Sequence, residues 1–428
     1  MEKPRTRQRR VMLLMAPATY RAGAFVRAAE HLDVALVSVL DMPDALRDHW
    51  QQRHGVDFAQ GERAVAEVVA LAQESDVDAL LAVDDGATEL AALACARLGL
   101  AHNAPASATA ARDKLVMRSM LQAGGVPVPE FRAVSAAADP RTLASGVTFP
   151  CVVKPLRLSG SRGVIRANDP DDFVVAFTRL TRMLAADGAA LASTSVLIEE
   201  YLPGQEVALE GLLSAGELRV LALFDKPDPL VGPFFEETIY VTPSRLSSVI
   251  QADIARATAA AATALGLREG PVHAELRVNE RGPWLIEIAG RSIGGLCSTI
   301  LSFGAGISLE ELILRHAIGE ALDSTERQGG AVGVMMIPIP RGGLLRGVSG
   351  VGEACAVPGI DGVEITAKLN YPITPLPEGA SYLGFIFARA ETPAHVEAAL
   401  RAAHGRLAIN IDPMVPLLLR AAATATLG

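Results

Sequence analysis

A chain of 428 residues is longer than one ordinary domain, so its length predicts two to four domains. Half of the residues are apolar, but no run of about eighteen apolar residues is free of charges, which excludes a membrane-spanning helix. The net charge of −9 and the aromatic content of 4% argue against nucleic acid as a partner. The four cysteines are far apart and lack C-x-x-C spacing. They predict buried reduced thiols in a cytoplasmic protein rather than zinc ligands or disulfides.

The beginning of the chain alternates short apolar runs with helical patterns, which is typical of a small parallel α/β domain. Residues 1–10 are basic, and the apolar segment after them is too short for a signal peptide, so they predict a disordered leader. Residues 11–108 form the predicted domain, with Asp84 and Asp85 interpreted as a turn at a strand end. G-x-G-x-x-G is absent after the first strand, which excludes a dinucleotide-binding dehydrogenase. The predicted strands are Val11–Pro17, Val34–Leu40 and Ala79–Val83, and the predicted helices are Gly61–Glu74 and Thr88–Leu98.

A connecting helix and a linker are predicted over residues 109–148. Residues 109–123 have helical periodicity and stop at Gly124 and Gly125. The next segment, V-P-V-P-E-F, carries proline at alternate positions and is therefore predicted to be extended.

Residues 149–225 form a predicted central lobe that opens on the strand F-P-C-V-V-K-P, which carries Lys154. The loop after this strand supplies hydroxyl groups and unobstructed backbone N–H groups, which can close over phosphate oxygens. It joins two strands, unlike a P-loop, which opens a helix. The loop alone leaves open the alternative of a flexible hairpin tip. Its donors are Ser159, Gly160, Ser161 and Gly163, with Arg162 for charge.

Residues 225–238 have three prolines and no regular period, which indicates a lid or a binding loop. Lys226, Glu236 and Glu237 are interpreted as loop charges, and Lys226 is also a candidate for substrate contact. The predicted elements on either side of this segment are the helix Pro170–Ala186, the strands Ser195–Glu199, Val207–Leu213 and Leu218–Phe224, and a helix Asp253–Leu265 with Asp253 as its N-cap.

Residues 272–291 predict a hairpin, because two alternating apolar runs flank the turn N-E-R-G. If the strands pair about that turn, Glu275 and Glu287 lie opposite each other. Two such carboxylates repel unless a cation lies between them or one holds a proton. A solvated hairpin face is the alternative. His273 shares the face of Glu275 and is either a support for that site or a structural histidine.

The predicted C-terminal lobe covers residues 226–428. After the hairpin, a helix is predicted around Cys297–Phe303, and a second helix over Ser308–Ala321 has Ser308 as its N-cap. From about residue 331, strands and turns predominate, which predicts an α+β subdomain.

Three motifs occur in an informative order: F-P-C-V-V-K-P with S-G-S-R-G-V, then L-I-E-E-Y-L-P-G-Q-E-V, then H-A-E-L with L-I-E-I-A-G-R-S-I-G-G. This set resembles the ATP-grasp superfamily of carboxylate ligases over roughly residues 11 to 420, and is most similar to the L-amino-acid (dipeptide) ligases. The resemblance implies a multidomain α/β and α+β protein with the ATP-grasp fold, in which an N-terminal parallel α/β domain precedes a central and a C-terminal lobe.

The resemblance also implies roles for the matching positions. Phosphate contacts fall to Lys114 and Lys154, with Lys154 also catalytic, and the glycine-containing loop folds over the phosphates. The adenine edge is expected against Glu199, Glu200, Tyr201 and Leu202, and the ribose against Glu206. Magnesium, or alternatively manganese, falls to Glu275 and Glu287. Arg291 is the catalytic cation and, with Gly294, Gly295 and Lys226, completes the substrate candidates.

Many family members carry asparagine two residues after the second metal-binding glutamate, where this chain has Ala289. The resemblance implies that amino-acid ligases also lack it, which leaves the number of metal ions open. The implied reaction activates a carboxylate as an acyl phosphate and forms an amide with an amine, with ATP as co-substrate, small-molecule partners and a possible homodimer. The alternatives are a bicarbonate- or formate-activating enzyme, a ligase that loads a carrier protein, and a nucleotide-binding regulatory module.

Overall fold

The computed structural model of the protein describes residues 7–322 and 324–414. No helix within these ranges is long and apolar enough to cross a membrane. Residues 1–6 of the predicted leader lie outside them. The remainder of the leader is not disordered, because Arg7 and Arg9 both pair with Asp78, at 3.0 and 2.8 Å, and Arg10 begins the first strand.

The N-terminal part is a parallel sheet covered by helices, as predicted, with strand order β3-β2-β1-β4. The central strand Arg10–Met15 is buried along nearly its whole length. This burial on both faces explains why the strand is a continuous apolar run rather than an alternating one. The strands are β1 (Arg10–Met15), β2 (Ala35–Asp41), β3 (Gly55–Val56) and β4 (Ala79–Ala82). The helices are α1 (Ala22–His31), α2 (Asp44–Trp50), α3 (Glu62–Glu74) and α4 (Thr88–Leu98).

The single helix predicted over residues 109–123 is wrong, because the chain forms two helices there, α5 (Pro105–Arg112) and α6 (Lys114–Ala123). Asp113 separates them. Its carboxylate accepts hydrogen bonds from the backbone N–H groups of Leu115 and Val116, at 3.0 and 3.2 Å, so it caps the second helix. Lys114 is therefore the first residue of α6.

The second sheet is antiparallel, with order β5-β8-β6-β7. The Ser159–Gly163 loop joins β6 to β7, which confirms the predicted strand-to-strand connection. The elements are β5 (Phe131–Ser135), α7 (Pro140–Ala144), β6 (Cys151–Pro155), β7 (Ile165–Ala167), α8 (Pro170–Ala186) and β8 (Ser195–Glu200).

The remaining strands are β9 (Gln205–Ser214), β10 (Glu217–Asp225), β11 (Ile239–Thr242), β12 (Gly270–Asn279), β13 (Gly282–Ala289), β14 (Ala331–Ile337), β15 (Gly343–Ser349), β16 (Ile360–Ile365), β17 (Pro372–Ile373), β18 (Gly384–Ala390) and β19 (Ala408–Asp412). Eight of them form one sheet, β13-β12-β9-β10-β11-β14-β18-β16, and three form a small sheet, β17-β15-β19. The large sheet crosses the predicted boundaries at residues 225 and 331. Neither boundary coincides with the end of a sheet, and the division into domains remains a prediction.

Four helices accompany these strands: α9 (Ser248–Leu265), α10 (Leu309–Ala317), α11 (Val351–Cys355) and α12 (Pro393–His404). The predicted cap at Asp253 is wrong, because the helix begins earlier and Ser247 caps it. The predicted cap at Ser308 is confirmed, and Glu311 completes a capping box there. The helix predicted over 297–303 is only a short 3-10 helix, Cys297–Ile300.

All four cysteines are free, and three of them are buried, as predicted. The prediction is wrong for Cys355, which is exposed at the end of the short surface helix α11.

Candidate active site

A cavity of about 430 Å³ lies where the two four-stranded sheets meet the eight-stranded sheet. Among the predicted site residues, only Gly163 and Lys226 do not line it. The structure thus gathers groups from widely separated parts of the chain into one space. The predicted residues on its walls are Lys114, Lys154, Ser159, Gly160, Ser161, Glu199, Glu200, Tyr201, Leu202, Glu206, Glu275, Glu287, Arg291, Gly294 and Gly295.

The hairpin register is the one that the sequence predicts, with Glu275 directly paired to Glu287 across β12 and β13. Both side chains reach the cavity. A register shift follows Glu275, where a β-bulge sits beside the site. Lys114 Nζ lies 3.6 Å from Glu287 Oε2 and donates to the carbonyl of Leu158 at 2.9 Å. The first residue of α6 therefore connects the hairpin to the glycine-containing loop.

Glu199 lies under this site in a buried ion-pair network. Its carboxylate accepts from Arg118 Nε at 2.7 Å and contacts the ammonium group of Lys154. Burial alone would raise the pKa of Glu199, but the charges of Arg118 and Lys154 outweigh it and lower that pKa to about 2. Burial lowers the pKa of Lys154. The Glu199 side chain therefore holds Lys154, and any contact from Glu199 to an adenine edge would come from its backbone.

Arg118 is a site residue that the sequence analysis missed. It is fully buried, and its Nη2 atom also donates to the carbonyl of Ile286 on β13, at 2.7 Å. The spacing contains a signal for it, since Arg118 is four residues after Lys114 and lies on the same face of α6.

The interpretation of Lys226 and Glu237 as loop charges is wrong. Lys226 is buried, and its Nζ atom lies 2.9 Å from Glu206, 2.5 Å from Glu237 and 3.2 Å from Glu275. These contacts hold the pKa of Lys226 well above its usual value despite burial. The other oxygen of Glu206 accepts from Arg277 Nε at 2.9 Å. Residues 225–238 have no regular apolar period, so no pattern there indicates that the side chains of Lys226 and Glu237 point inward.

Two acidic sets are therefore relevant to a metal ion. One oxygen each from Glu206, Glu237 and Glu275 lies within 4.8 Å of the others, but the ammonium group of Lys226 already contacts all three. Glu287 completes the second set with Glu275. The Nζ atom of Lys114 lies 3.6 Å from the Glu287 carboxylate, which is longer than the Lys226 contacts. Glu275 and Glu287 are cross-strand neighbours on the cavity wall, and carboxylate oxygens suit a hard divalent cation, so these two residues are the candidates for Mg²⁺.

His273 connects the hairpin to a second buried acid, Glu210, which the sequence analysis also missed. Its Nδ1 atom is 3.1 Å from Glu210, and its Nε2 atom is 3.6 Å from Glu275. Burial opposes protonation, but these carboxylates outweigh it and raise the pKa of His273 to about 9. Glu210 also accepts from the backbone N–H of Ile293 at 3.0 Å, which fixes the segment before Gly294.

Arg291 is paired with Asp85, which follows the last strand of the N-terminal sheet. Its Nε and Nη2 atoms donate to the two carboxylate oxygens of Asp85, at 2.8 and 2.7 Å. The interpretation of Asp85 as only a turn residue is therefore incomplete. Carboxyl ends of parallel strands commonly face ligand sites, and Asp85 lies just after β4, so its position contained a usable signal.

The loop Ser159–Gly163 is closed against the C-terminal part of the chain. Gly163 donates its backbone N–H to Pro377 at 2.9 Å, and Arg162 Nε donates to the carbonyl of Glu378 at 2.8 Å. Arg179 holds the Glu378 carboxylate with two bonds, at 2.6 and 2.8 Å. Gly163 has a φ of +74°, and a Cβ there would lie 2.9 Å from Leu180, so the position requires glycine.

Two family models match parts of this chain, which together make up about half of its residues. Residues 147–300, which contain the loop and the hairpin, match the family described as ATP-grasp domain. Residues 335–412 match the family described as L-amino acid ligase C-terminal domain 2. The chain contains an ATP-grasp domain and is an ATP-dependent ligase. The matches confirm the fold and the enzyme class that the three sequence motifs predict, and enzymes of this class use ATP and Mg²⁺.

Several individual proteins are similar to this chain. "Uncharacterized protein y4rH" of Sinorhizobium fredii is 23% identical over 96% of this chain and 85% of its own length. The alanine–anticapsin ligase of Bacillus subtilis is 29% identical over 59% of this chain, and the match spans 56% of that enzyme. The solved L-amino acid ligase from Bacillus licheniformis has a TM-score of 0.81 at 24% identity, covering 95% of this chain and 100% of its own, which shows a shared fold.

Proposed function

We propose that this ATP-grasp ligase joins the carboxylate of one amino acid to the amine of another, through an acyl phosphate. The observation that carries the proposal is the convergence of Lys114, Lys154, Arg291 and the Glu275–Glu287 pair on one cavity. The match of residues 335–412 to the L-amino acid ligase family and the likeness to an alanine–anticapsin ligase favour amino acids over bicarbonate or formate.

The nucleotide would lie between the second sheet and the eight-stranded sheet. Lys114 and Lys154 neutralise phosphate charge, and the cavity-lining part of the loop, Ser159 to Ser161, donates backbone N–H groups to the phosphates. The adenine edge meets the backbone of Glu199, Glu200, Tyr201 and Leu202. Glu206 reaches the ribose while Arg277 and Lys226 hold its carboxylate in place.

Glu275 and Glu287 would hold the divalent cation. When bound, Mg²⁺ supplies positive charge against the phosphate oxygens, which the protein otherwise supplies through its lysines. The Nε2 atom of His273 contacts the Glu275 carboxylate and orients it.

In the first step, a substrate carboxylate oxygen bonds to the γ-phosphorus while the bond to the bridging oxygen of ADP breaks. In the second step, the amine nitrogen bonds to the acyl carbon, inorganic phosphate leaves, and the nitrogen loses a proton. Arg291 and the backbone N–H groups of Gly294 and Gly295 stabilise the oxygens that gain negative charge. The closed loop excludes water, which would otherwise hydrolyse the acyl phosphate.

The test is phosphate release from ATP and magnesium with amino acids offered singly and in pairs, and with products identified by mass. We expect release that requires two amino acids and yields a dipeptide mass. Glu287→Gln should lower kcat by about 100-fold or more, because it removes one of the two carboxylates that would hold Mg²⁺ against the transferring phosphate. Glu280→Gln, at the exposed turn of the same hairpin, is the matched control. Turnover with bicarbonate, formate or a carrier protein instead would overturn the proposal.

A further inference from the structure

Two residues from the N-terminal part of the chain, Asp85 and Arg21, contact the segment that carries Arg291. Asp85 binds the Arg291 guanidinium through two oxygens, and both partners are largely buried, at 21% and 15% side-chain exposure. Arg21, just before α1, contacts the hydroxyl of the next residue, Ser292, and is itself fixed by Glu310 at 2.7 Å. Residues from the first part of the chain therefore determine where Arg291 points.

The contacts of Arg291 leave part of its guanidinium for a ligand. Arginine has five N–H donors in a rigid plane. Asp85 takes one on Nε and one on Nη2, and the carbonyl of Ser292 takes one on Nη1, at 2.8 Å. Within the described part of the chain, these are its hydrogen-bond partners. One N–H on each terminal nitrogen is then left for an oxygen in the cavity, in an orientation that Asp85 dictates.

We propose that Asp85 is a positioning residue for the ligation reaction, which acts by fixing the Arg291 guanidinium toward the reacting oxygens. The inference rests on the proposed function, in which Arg291 contacts the acyl phosphate. Each oxygen of the Asp85 carboxylate accepts a hydrogen bond from the Arg291 guanidinium, so Asp85 fixes the plane of that group. The N-terminal sheet, which lies outside the ATP-grasp match at residues 147–300, thus completes the catalytic centre.

The experiment compares Asp85→Asn with Asp48→Asn, an exposed control in the same region. Asp85→Asn keeps the size of the side chain but loses the charge, so we expect kcat to fall about 10- to 100-fold through misplacement of Arg291. The KM for each amino acid should stay within about twofold. A higher amino-acid KM at unchanged kcat would overturn the inference, because it would place the substrate on Asp85.

A second pair of variants tests whether the two residues act as one unit. Arg291→Lys cannot form the two-bond contact, so adding Asp85→Asn to it should cause little further loss. Losses that multiply would contradict the inference. If Asp85→Asn fails to fold, Asp85→Glu takes its place, with lower kcat expected because its carboxylate is one methylene further out.

A final measurement separates this inference from the proposed function. Phenylglyoxal modifies arginine, and the peptide that contains Arg291 can be followed by mass without any turnover. Arg291 should react faster with phenylglyoxal in Asp85→Asn than in the protein with the native sequence. If the latter releases no phosphate with any amino acid, the proposed function fails, and the labelling still tests the pairing. Equal labelling rates would overturn the role of Asp85.

Discussion

Two ion-pair systems border the cavity, and they differ in exposure. Under Lys154, the side chains of Arg118 and Glu199 are only 1% and 4% exposed. The Arg179–Glu378 pair, whose glutamate contacts the glycine-containing loop through Arg162, is 41% and 38% exposed. Buried pairs are costly to break on one side only, whereas exposed pairs contribute about 1 kcal/mol at most. This difference predicts that breaking the Arg118–Glu199 pair destabilises the protein far more than breaking the Arg179–Glu378 pair beside the loop.

The largest effect is expected from Arg118→Met, which breaks the buried network on one side. It leaves the Glu199 carboxylate buried beside Lys154 alone and removes a donor from the carbonyl of Ile286. The free energy of unfolding should fall by about 3–5 kcal/mol, measured by urea denaturation. The double variant Arg118→Met/Glu199→Gln should lose more than the single variant, because it also leaves the buried Lys154 ammonium without its carboxylate partner. A double variant as stable as the single variant would show that Glu199 does not compensate the charge of Lys154.

The buried network also predicts a pH dependence of stability. The pKa of Glu199 is lowered from 4.5 to about 2, so its ionised form stabilises the folded state by about 3 kcal/mol. This contribution is fully present above about pH 4.5 and is lost as the pH falls toward 2. The difference in unfolding free energy between the native sequence and Glu199→Gln should therefore be constant from pH 7 to about 5 and shrink below that. A difference that grows on acidification would contradict the assignment.

The smallest effect is expected at the loop. Glu378→Gln should change the free energy of unfolding by less than about 1 kcal/mol, because the pair with Arg179 is well exposed. The same change should raise the KM for ATP about two- to threefold, because the open loop becomes more populated. High salt should reduce that difference by screening the pair. Glu364→Gln, an exposed glutamate on β16, is the matched control, and an equal KM in both variants would show that the pair does not hold the loop.

Features that depend on neighbouring residues were predictable from the sequence. Alternation about a two-residue turn was enough to place Glu275 opposite Glu287, and helix α8 begins and ends where its pattern predicts. The Ser308 cap was predictable for the same reason. The error at Asp113 is also local, since an aspartate inside a helical pattern can equally begin a new helix.

Contacts between distant parts of the chain were not predictable in this way. Arg291 and Asp85 are 206 residues apart, and nothing in either motif indicates the other. Lys226 and Glu237 point inward only because the folded segment brings them to Glu275, and an irregular segment has no period that shows which side is buried. Most residues of the predicted list thus line the cavity, but the list lacked partners such as Arg118 and Glu210 that orient them.

The continuity of the eight-stranded sheet limits how far the two matched families can be treated as separable modules. Strand β11 pairs with β10 at only one position but with β14 at four. A fragment ending near residue 330 would keep β11 and lose its main partner, leaving a buried apolar edge with unpaired backbone groups. Such edges promote aggregation. The region that matches the ATP-grasp domain and the region that matches the L-amino acid ligase C-terminal domain therefore share one sheet, and exchange of the C-terminal region between relatives requires a match where β11 pairs with β14.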